Sequence, residues 1–277
     1  INDALSEIER YPDGNGYYLK EALCNKFLLS PKQIIIGNGS NDILELAART
    51  FATKDDQILY SEHAFAVYKI VSQAIGSEGI EAPSNKYSHD LDAFLSLISN
   101  KTKLIFIANP NNPTGTLIIQ KVLKNFLDNV PKNIVVVLDE AYDEYLDDSL
   151  KSNAFKWLHD YKNLIISRSF SKAYGLAGLR IGYGVGAPEL IEMMNRVRQP
   201  FNVNHLAQIA ATASLDDKNF IEESRSANNI GMKQLTDAFK VLDLEFIPSY
   251  GNFVSLKLED EKTAMMYYHH LLNNGVI

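Results

Sequence analysis

Ser167-Arg-Ser-Phe-Ser-Lys172-Ala-Tyr-Gly-Leu-Ala-Gly-Leu-Arg180-Ile-Gly-Tyr183 is the stretch around which this 277-residue chain is organised. It lies between two short apolar runs, residues 164–166 and 181–185, so a lysine, two serines and an arginine occupy the connection between two expected strands. An amine in semi-apolar surroundings loses stabilisation of its charged form and becomes a usable nucleophile toward a carbonyl. Arg180 and the hydroxyls of Ser169 and Ser171 are groups that gather around a phosphate. The same window also fits a lysine with a buried stem and a solvated head, so the rest of the chain has to decide.

Outward from this stretch, strand-like runs at residues 33–36, 57–60, 79–82, 104–108, 134–138, 164–166 and 181–185 alternate with helical periodicity. The helical pattern is clearest over residues 65–75, 91–98 and 118–130. Runs 104–107 and 134–138 are continuously apolar, as in strands covered on both faces. The expected fold is α/β, a large domain with a mostly parallel sheet between helices, plus a smaller, truncated α+β domain. After Pro188 the pattern gives helices over 189–198 and 206–214, a long helix over 219–242, strands over 244–247 and 253–258, and a helix over 262–272. Ala227, Ile230, Leu235, Ala238 and Phe239 repeat at helical spacing along the long helix, which could link two domains. The expected division is 31–215 for the large domain and 216–277 for the small, incomplete one, joined by the N-terminal segment 1–30. Within that segment an amphipathic piece with Leu5 and Ile8 runs into the turn Arg10-Tyr-Pro-Asp-Gly-Asn-Gly16, followed by a helix over 19–27.

The chain is 46% hydrophobic, enough for a large core in one big or two unequal domains. Its net charge of -7 comes without a basic block, so neither nucleic acid nor a membrane surface is an expected partner. The single cysteine, Cys24, excludes an internal disulfide framework and fits a reducing cytosol. No apolar run approaches the roughly 20 residues that span a bilayer, and no leader pattern is present, so a cytoplasmic location is expected. The chain starts at Ile1 rather than a methionine and stops at Val276-Ile277 in what reads as a strand, so both ends are expected to lack pieces.

Three further motifs carry chemistry. Gly37-Asn-Gly-Ser-Asn-Asp42 stands between a β-branched strand and a helix, where free N–H groups and the helix dipole can hold an anion. An ordinary N-cap by Ser40 explains the same residues. Asn109-Pro-Asn-Asn112-Pro-Thr-Gly115 follows the strand at 104–108, a position where open α/β sheets bind ligands, and the Asn112 amide can donate or accept there; it is also a stiff turn. Asp139-Glu-Ala-Tyr142 ends the most apolar strand, and an unpaired carboxylate there costs several kcal/mol. It is therefore a functional charge, or a metal or salt-bridge carboxylate with Glu140 beside it.

Taken together, Asn112, Asp139 with Tyr142, and Lys172 with Arg180 resemble the set found in fold-type I, class I/II aminotransferases that use pyridoxal 5'-phosphate (PLP). Within them the chain most resembles the histidinol-phosphate aminotransferases. The likeness extends through Arg10-Tyr-Pro-Asp13, residues 37–42, 109–115, 139–142 and 169–180, and Arg198-Gln-Pro-Phe-Asn-Val-Asn204. It implies that Lys172 holds PLP as a Schiff base and moves a proton, while Asp139 pairs with the pyridinium nitrogen. Tyr142 and Asn112 would hydrogen-bond the ring oxygen O3′, and Phe65 would stack on the ring where many relatives carry tyrosine. The cofactor phosphate would lie on Gly39, Ser40 and Asn41, with Ser169, Ser171 and Arg180 around it. Tyr11 would reach the phosphate of the neighbouring subunit, making a homodimer; no metal is expected.

The reaction implied is L-histidinol phosphate plus 2-oxoglutarate to imidazole-acetol phosphate plus L-glutamate, in histidine biosynthesis. An aromatic amino-acid aminotransferase, a PLP-dependent decarboxylase of a phosphorylated amino acid and a non-catalytic PLP-fold binding protein share the framework. A nucleotide site at residues 37–41 would lack the Walker lysine. The chain departs from the pattern at its ends. The family's substrate-binding arginine is expected beyond residue 277, and an asparagine-rich substrate segment before Ile1.

Overall fold

The alternation read from the sequence closes into one seven-stranded sheet flanked by two short hairpins. The computed structural model describes residues 1–276. Its first half contains α1 (Tyr17–Phe27), β1 (Ile34–Gly37), α2 (Ser40–Phe51), β2 (Gln57–Ser61), α3 (Ala66–Ala74), β3 (Glu78–Ala82), β4 (Ser84–Asn85), β5 (Ser88–His89), α4 (Leu91–Leu97) and β6 (Thr102–Ala108). There follow α5 (Gln120–Asn129), β7 (Val135–Asp139), β8 (Leu164–Ser169), β9 (Gly182–Gly186), α6 (Pro188–Val197), α7 (His205–Ser214), α8 (Lys218–Val241), β10 (Phe246–Ile247), β11 (Ser255–Leu256) and α9 (Glu261–Asn273).

The strand order is β1-β9-β8-β7-β6-β2-β3, and every neighbouring pair is parallel except the two that involve β9. Successive strand residues face opposite ways, so each apolar strand feeds two cores. Ile105, Ile107, Val136, Leu138 and Ile166 join one cluster with Leu23 of α1, Phe94 of α4, Phe126 of α5 and Ala207 of α7. Leu104, Phe106, Val135, Val137 and Ile165 join the other with Ile43 of α2, Tyr68 of α3 and Met194 of α6. Burying each such side chain contributes about 1.5–3 kcal/mol, and the continuously apolar runs follow from there being a helix layer on both sides.

Because β1 and β8 are each antiparallel to β9, they run in the same direction, and so do β6 and β7. The carboxyl ends of β1, β6, β7 and β8 therefore share one edge, and the motifs at residues 37–42, 109–115, 139–142 and 169–180 leave the sheet there. Close approach at that edge depends on Gly182, which opens β9 opposite Gly37 and Ser169. A Cβ on Gly182 would lie 2.4 Å from the Ser40 amide nitrogen and 2.7 Å from the Gly39 carbonyl carbon.

Some local expectations do not hold. The piece with Leu5 and Ile8 is a short 3-10 turn, Asp3–Glu7, that turns only Ala4 inward and leaves both larger side chains exposed. The β4–β5 hairpin was invisible in the sequence because its residues are polar and do not alternate. The last two strands are two residues each, and α8 and α9 bury no residue, leaving Ile230 and Leu235 exposed. Val276 follows α9 without regular structure. The remainder of the strand expected there, Ile277, lies outside the described residues.

Replacing Gly182 with alanine should destabilise the fold by about 1–3 kcal/mol, because the atoms in the way are backbone and cannot step aside. Urea unfolding of the Gly182→Ala variant checks this; an unchanged midpoint would contradict the close packing of α2 on β9.

Candidate active site

At the shared edge a cavity of about 220 Å³ is lined by Ser40, Asn41, Phe65, Asn112, Asp139, Tyr142, Ser169, Ser171, Lys172 and Arg180, together with Ala108, Pro110, Ala141 and Ala177. Of the residues expected at the site, Gly39 and Tyr11 alone are not part of its lining. Gly39 stands directly behind Arg180, with φ +80°, and a Cβ there would fall 2.3 Å from an Arg180 terminal nitrogen. Tyr11 lies elsewhere: it is 82% exposed, stacks on Phe201 at 4.8 Å between ring centroids and borders a separate groove with Arg10, His205 and Gln208.

One end of the cavity is electropositive by construction. Gly39 is the N-cap of α2 and has no side-chain capping bond, so Ser40 is the first helical residue rather than the cap. Uncapped amides and the helix dipole point at the cavity and favour an anion. Arg180, in a left-handed backbone conformation, lays its guanidinium beside this turn and donates to Ser171 Oγ at 3.2 Å and to the Ala177 carbonyl at 2.9 Å. Ser169 Oγ accepts the Ser171 amide at 3.0 Å, which folds the two hydroxyls into one turn. Behind the turn, Asn202 donates to Asp42 Oδ2 at 2.7 Å and to the Ile36 carbonyl at 3.1 Å, and Arg198 holds Asn202. The motif at residues 198–204 thus supports the cradle from outside.

The floor is Asp139, the last residue of β7. Oδ2 accepts from the Tyr68 hydroxyl at 3.0 Å, while Oδ1 is buried without a partner among the described residues. Burial raises its carboxyl from 3.8 to about 6, against the opposing pull of the Tyr68 hydrogen bond, the Ala141 amide and the Lys172 charge. Tyr68 was not singled out in the sequence. The available signal was its place three residues after Phe65, which puts both on one face of α3.

Only one asparagine of the 109–115 loop faces the cavity. Asn109 is bound in both directions to the Ile118 backbone, and Asn111 donates to the His63 carbonyl and to Thr114. Asn112 donates to the Tyr142 hydroxyl at 2.9 Å, leaving the phenol proton free to be given elsewhere. Burial, and secondarily the Asp139 charge, pushes Tyr142 up to about 12 against the effect of Asn112, so it is a neutral donor at working pH. Lys172 Nζ lies 5.3 Å from the centre of the Tyr142 ring, a cation–π contact at the cavity wall.

Glu140 is not a partner of Asp139. It turns to the opposite side of the strand end and pairs with Arg168 at 2.7 Å, next to Asp143 at 2.8 Å and Glu144 at 3.2 Å. Ser152 also donates to Glu140. One guanidinium faces three buried carboxylates here, and burial lifts Glu140 to about 7 despite Arg168. This cluster ties the end of β7 to β8 and sets the direction in which Asp139 and Ser169 point.

An anion cradle, a buried acid and a lysine at one sheet edge define a fold-type I PLP enzyme, and the chain belongs to the class I and II aminotransferase family, whose model matches residues 2–277. Several relatives within that family are named histidinol-phosphate aminotransferase. A histidinol-phosphate aminotransferase of Methylobacillus flagellatus is 56% identical over all of this chain and 74% of its own length. Another, from Hydrogenovibrio crunogenus, is 50% identical with the same coverage. The solved structure of histidinol-phosphate aminotransferase from Sinorhizobium meliloti in complex with pyridoxal-5'-phosphate matches with a TM-score of 0.94 at 26% identity, over all of this chain and 76% of that one. The donor set here fits PLP: the unpartnered Oδ1 of Asp139 suits a protonated ring nitrogen, and the uncapped turn with Arg180 suits a phosphate.

A carboxyl whose folded-state value is raised stabilises the fold only below its unfolded value, and that contribution is lost as pH rises through the folded value. For Asp139 the window runs from 3.8 to about 6. The PLP-free Asp139→Asn variant should therefore be more stable than the parent at pH 8, by roughly 1–3 kcal/mol, and no more stable at pH 4. Denaturant unfolding at the two pH values checks this; a variant less stable at pH 8 would mean that Asp139 has a structural partner.

Proposed function

We propose that this chain transfers the amino group of L-histidinol phosphate to 2-oxoglutarate, giving imidazole-acetol phosphate and L-glutamate, the transamination of histidine biosynthesis. The observation that carries this reading is the single cavity that holds Lys172, Asp139, Tyr142, Asn112 and Arg180 together, in a chain 47–56% identical to relatives named for that reaction.

When bound, PLP supplies an electron sink for the charge that develops at the substrate's Cα. The Lys172 amine anchors the cofactor and then carries the proton from Cα. Asp139, with one oxygen fixed by Tyr68 and the other free, keeps the ring nitrogen protonated. Asn112 fixes the Tyr142 hydroxyl so that its proton can be given to the ring oxygen. Phe65 covers the ring face without adding a hydroxyl. Ser40, Asn41, Ser169, Ser171 and Arg180 bind the phosphate, with Gly39 making room for the guanidinium. Residues 31–215 form the cofactor-binding unit in this reading, and 216–277 a second, smaller one.

The working unit is a homodimer in which Tyr11 serves the other subunit's phosphate. Its support is that Tyr11 is not part of the lining of its own cavity and lies exposed against Phe201, with the exposed Tyr18 on the same groove. A cytoplasmic setting agrees with the one free thiol, Cys24. Among the described residues no helix is long and apolar enough to cross a membrane.

Assays of the full protein across amino donors should give the highest kcat/KM with L-histidinol phosphate; a preference for phenylalanine or tyrosine would replace the substrate assignment with an aromatic one. The Lys172→Ala variant should lose the visible absorbance of lysine-bound PLP and at least a thousandfold of kcat, on the order expected for a covalent and acid–base residue; retention of the parent spectrum would displace the lysine. Tyr11→Phe should weaken PLP binding in a protein that sediments as a dimer, and a monomer with full PLP affinity would exclude the shared site.

A further inference from the structure

We propose that Tyr68 is a positioning residue for the acid that faces the cofactor ring: its hydroxyl fixes one oxygen of Asp139, aims the other into the cavity and favours the ionised form. The proposal rests on the reading of Asp139 as the ring-nitrogen partner.

Tyr68 is fully buried in the first turn of α3, and its ring is clamped in two directions. It stacks on Phe106 of β6, with centroids 4.7 Å apart and planes 5° from parallel. Its edge meets Phe65 at 6.0 Å and 89°. The phenol is thereby delivered to Asp139 Oδ2 at 3.0 Å without rotational freedom, while Oδ1 keeps no partner among the described residues. Burial, then the Asp139 charge, holds the Tyr68 proton far above the ordinary phenol range, so this group donates at every working pH.

A carboxylate at the end of an apolar strand is pushed toward its neutral form, and a neutral carboxyl is a poor partner for a ring cation. The titratable groups facing it are Tyr68 from α3, Tyr142 from the loop after β7 and Lys172 from the loop after β8. Its strand neighbours, Ala108 on β6 and Ser167 on β8, do not titrate. Tyr142 is neutral, and its hydroxyl is engaged by Asn112. Among the described residues Tyr68 is therefore the one side chain hydrogen-bonded to the carboxylate, and its ring also packs against Phe65 of the cavity lining.

Tyr68→Phe keeps both ring contacts and deletes only the donor. Loss of a hydrogen bond to a buried charge corresponds to roughly a ten- to hundredfold effect. With the full protein, kcat should fall by that factor while KM for the amino donor changes little. The acid limb of PLP affinity, followed by absorbance titration across pH, should move to higher pH, since removing a donor from the carboxylate raises its proton affinity. In an Asp139→Asn background the same substitution should change neither quantity. An unmoved acid limb, or an equal loss in the Asp139→Asn background, overturns the role of Tyr68. If Asp139→Asn alone leaves kcat and PLP affinity intact, the reading of Asp139 falls and Tyr68 with it, which separates the two failures. A Tyr68→Phe protein whose unfolding midpoint collapses along with kcat at every pH, without a shift of the limb, assigns Tyr68 to packing alone and overturns the proposal.

Discussion

The structure is arranged around one costly group, the Asp139 carboxylate at the end of β7, buried with an oxygen that has no hydrogen-bond partner among the described residues. A chain selected only for stability would place an amide or an apolar side chain there, because burial already lifts the carboxyl to about 6. What keeps the charge usable is a short list of neighbours: a clamped phenol, a backbone amide and the amine of Lys172. Each belongs to a different segment, so the sheet must be complete before the acid has its environment. A hydrogen-bond donor entering from the cavity would satisfy the free oxygen, and a cationic one would also hold the carboxyl ionised.

The opposite end of the cavity has the complementary sign. Glycine at 39 and at 182 lets the start of α2 come against β9 and lets Arg180 lie along the turn, where side chains of any size would hold them apart. The result is a bipolar slot, anionic at the strand end and cationic at the helix end, with Phe65 and Tyr142 along its walls. PLP, with a cationic ring nitrogen and an anionic phosphate, has that charge distribution. The Arg168 cluster behind the slot follows from strand alternation: Asp139 and Ser169 face inward, so Glu140 and Arg168 face outward and pair.

Much of this was legible in the sequence because it rests on local patterns. Two-sided apolar runs gave β6 and β7, and the glycine turn after a β-branched strand gave the cradle. Lys172 and Arg180 followed from their place between two strands, and their roles from resemblance. Tyr68 was not legible, since a tyrosine at helical spacing among apolar residues reads as core and its partner is 71 positions away. The pairing of Glu140 with Arg168 was hidden for the same reason, and the sequence left Glu140 as a possible neighbour of Asp139. Leu5 and Ile8 were misread because a single 3-10 turn does not present a helical face. The short hairpins escaped because strand patterns need more than two residues.

The role proposed for Asp139 is to hold a proton on the ring nitrogen of bound PLP. Nuclear magnetic resonance of PLP isotopically labelled at that nitrogen, bound to the full protein at neutral pH, reads the protonation state without depending on turnover. The expected result is a protonated nitrogen in the parent and an unprotonated one in Asp139→Asn. An unprotonated nitrogen in the parent would contradict it.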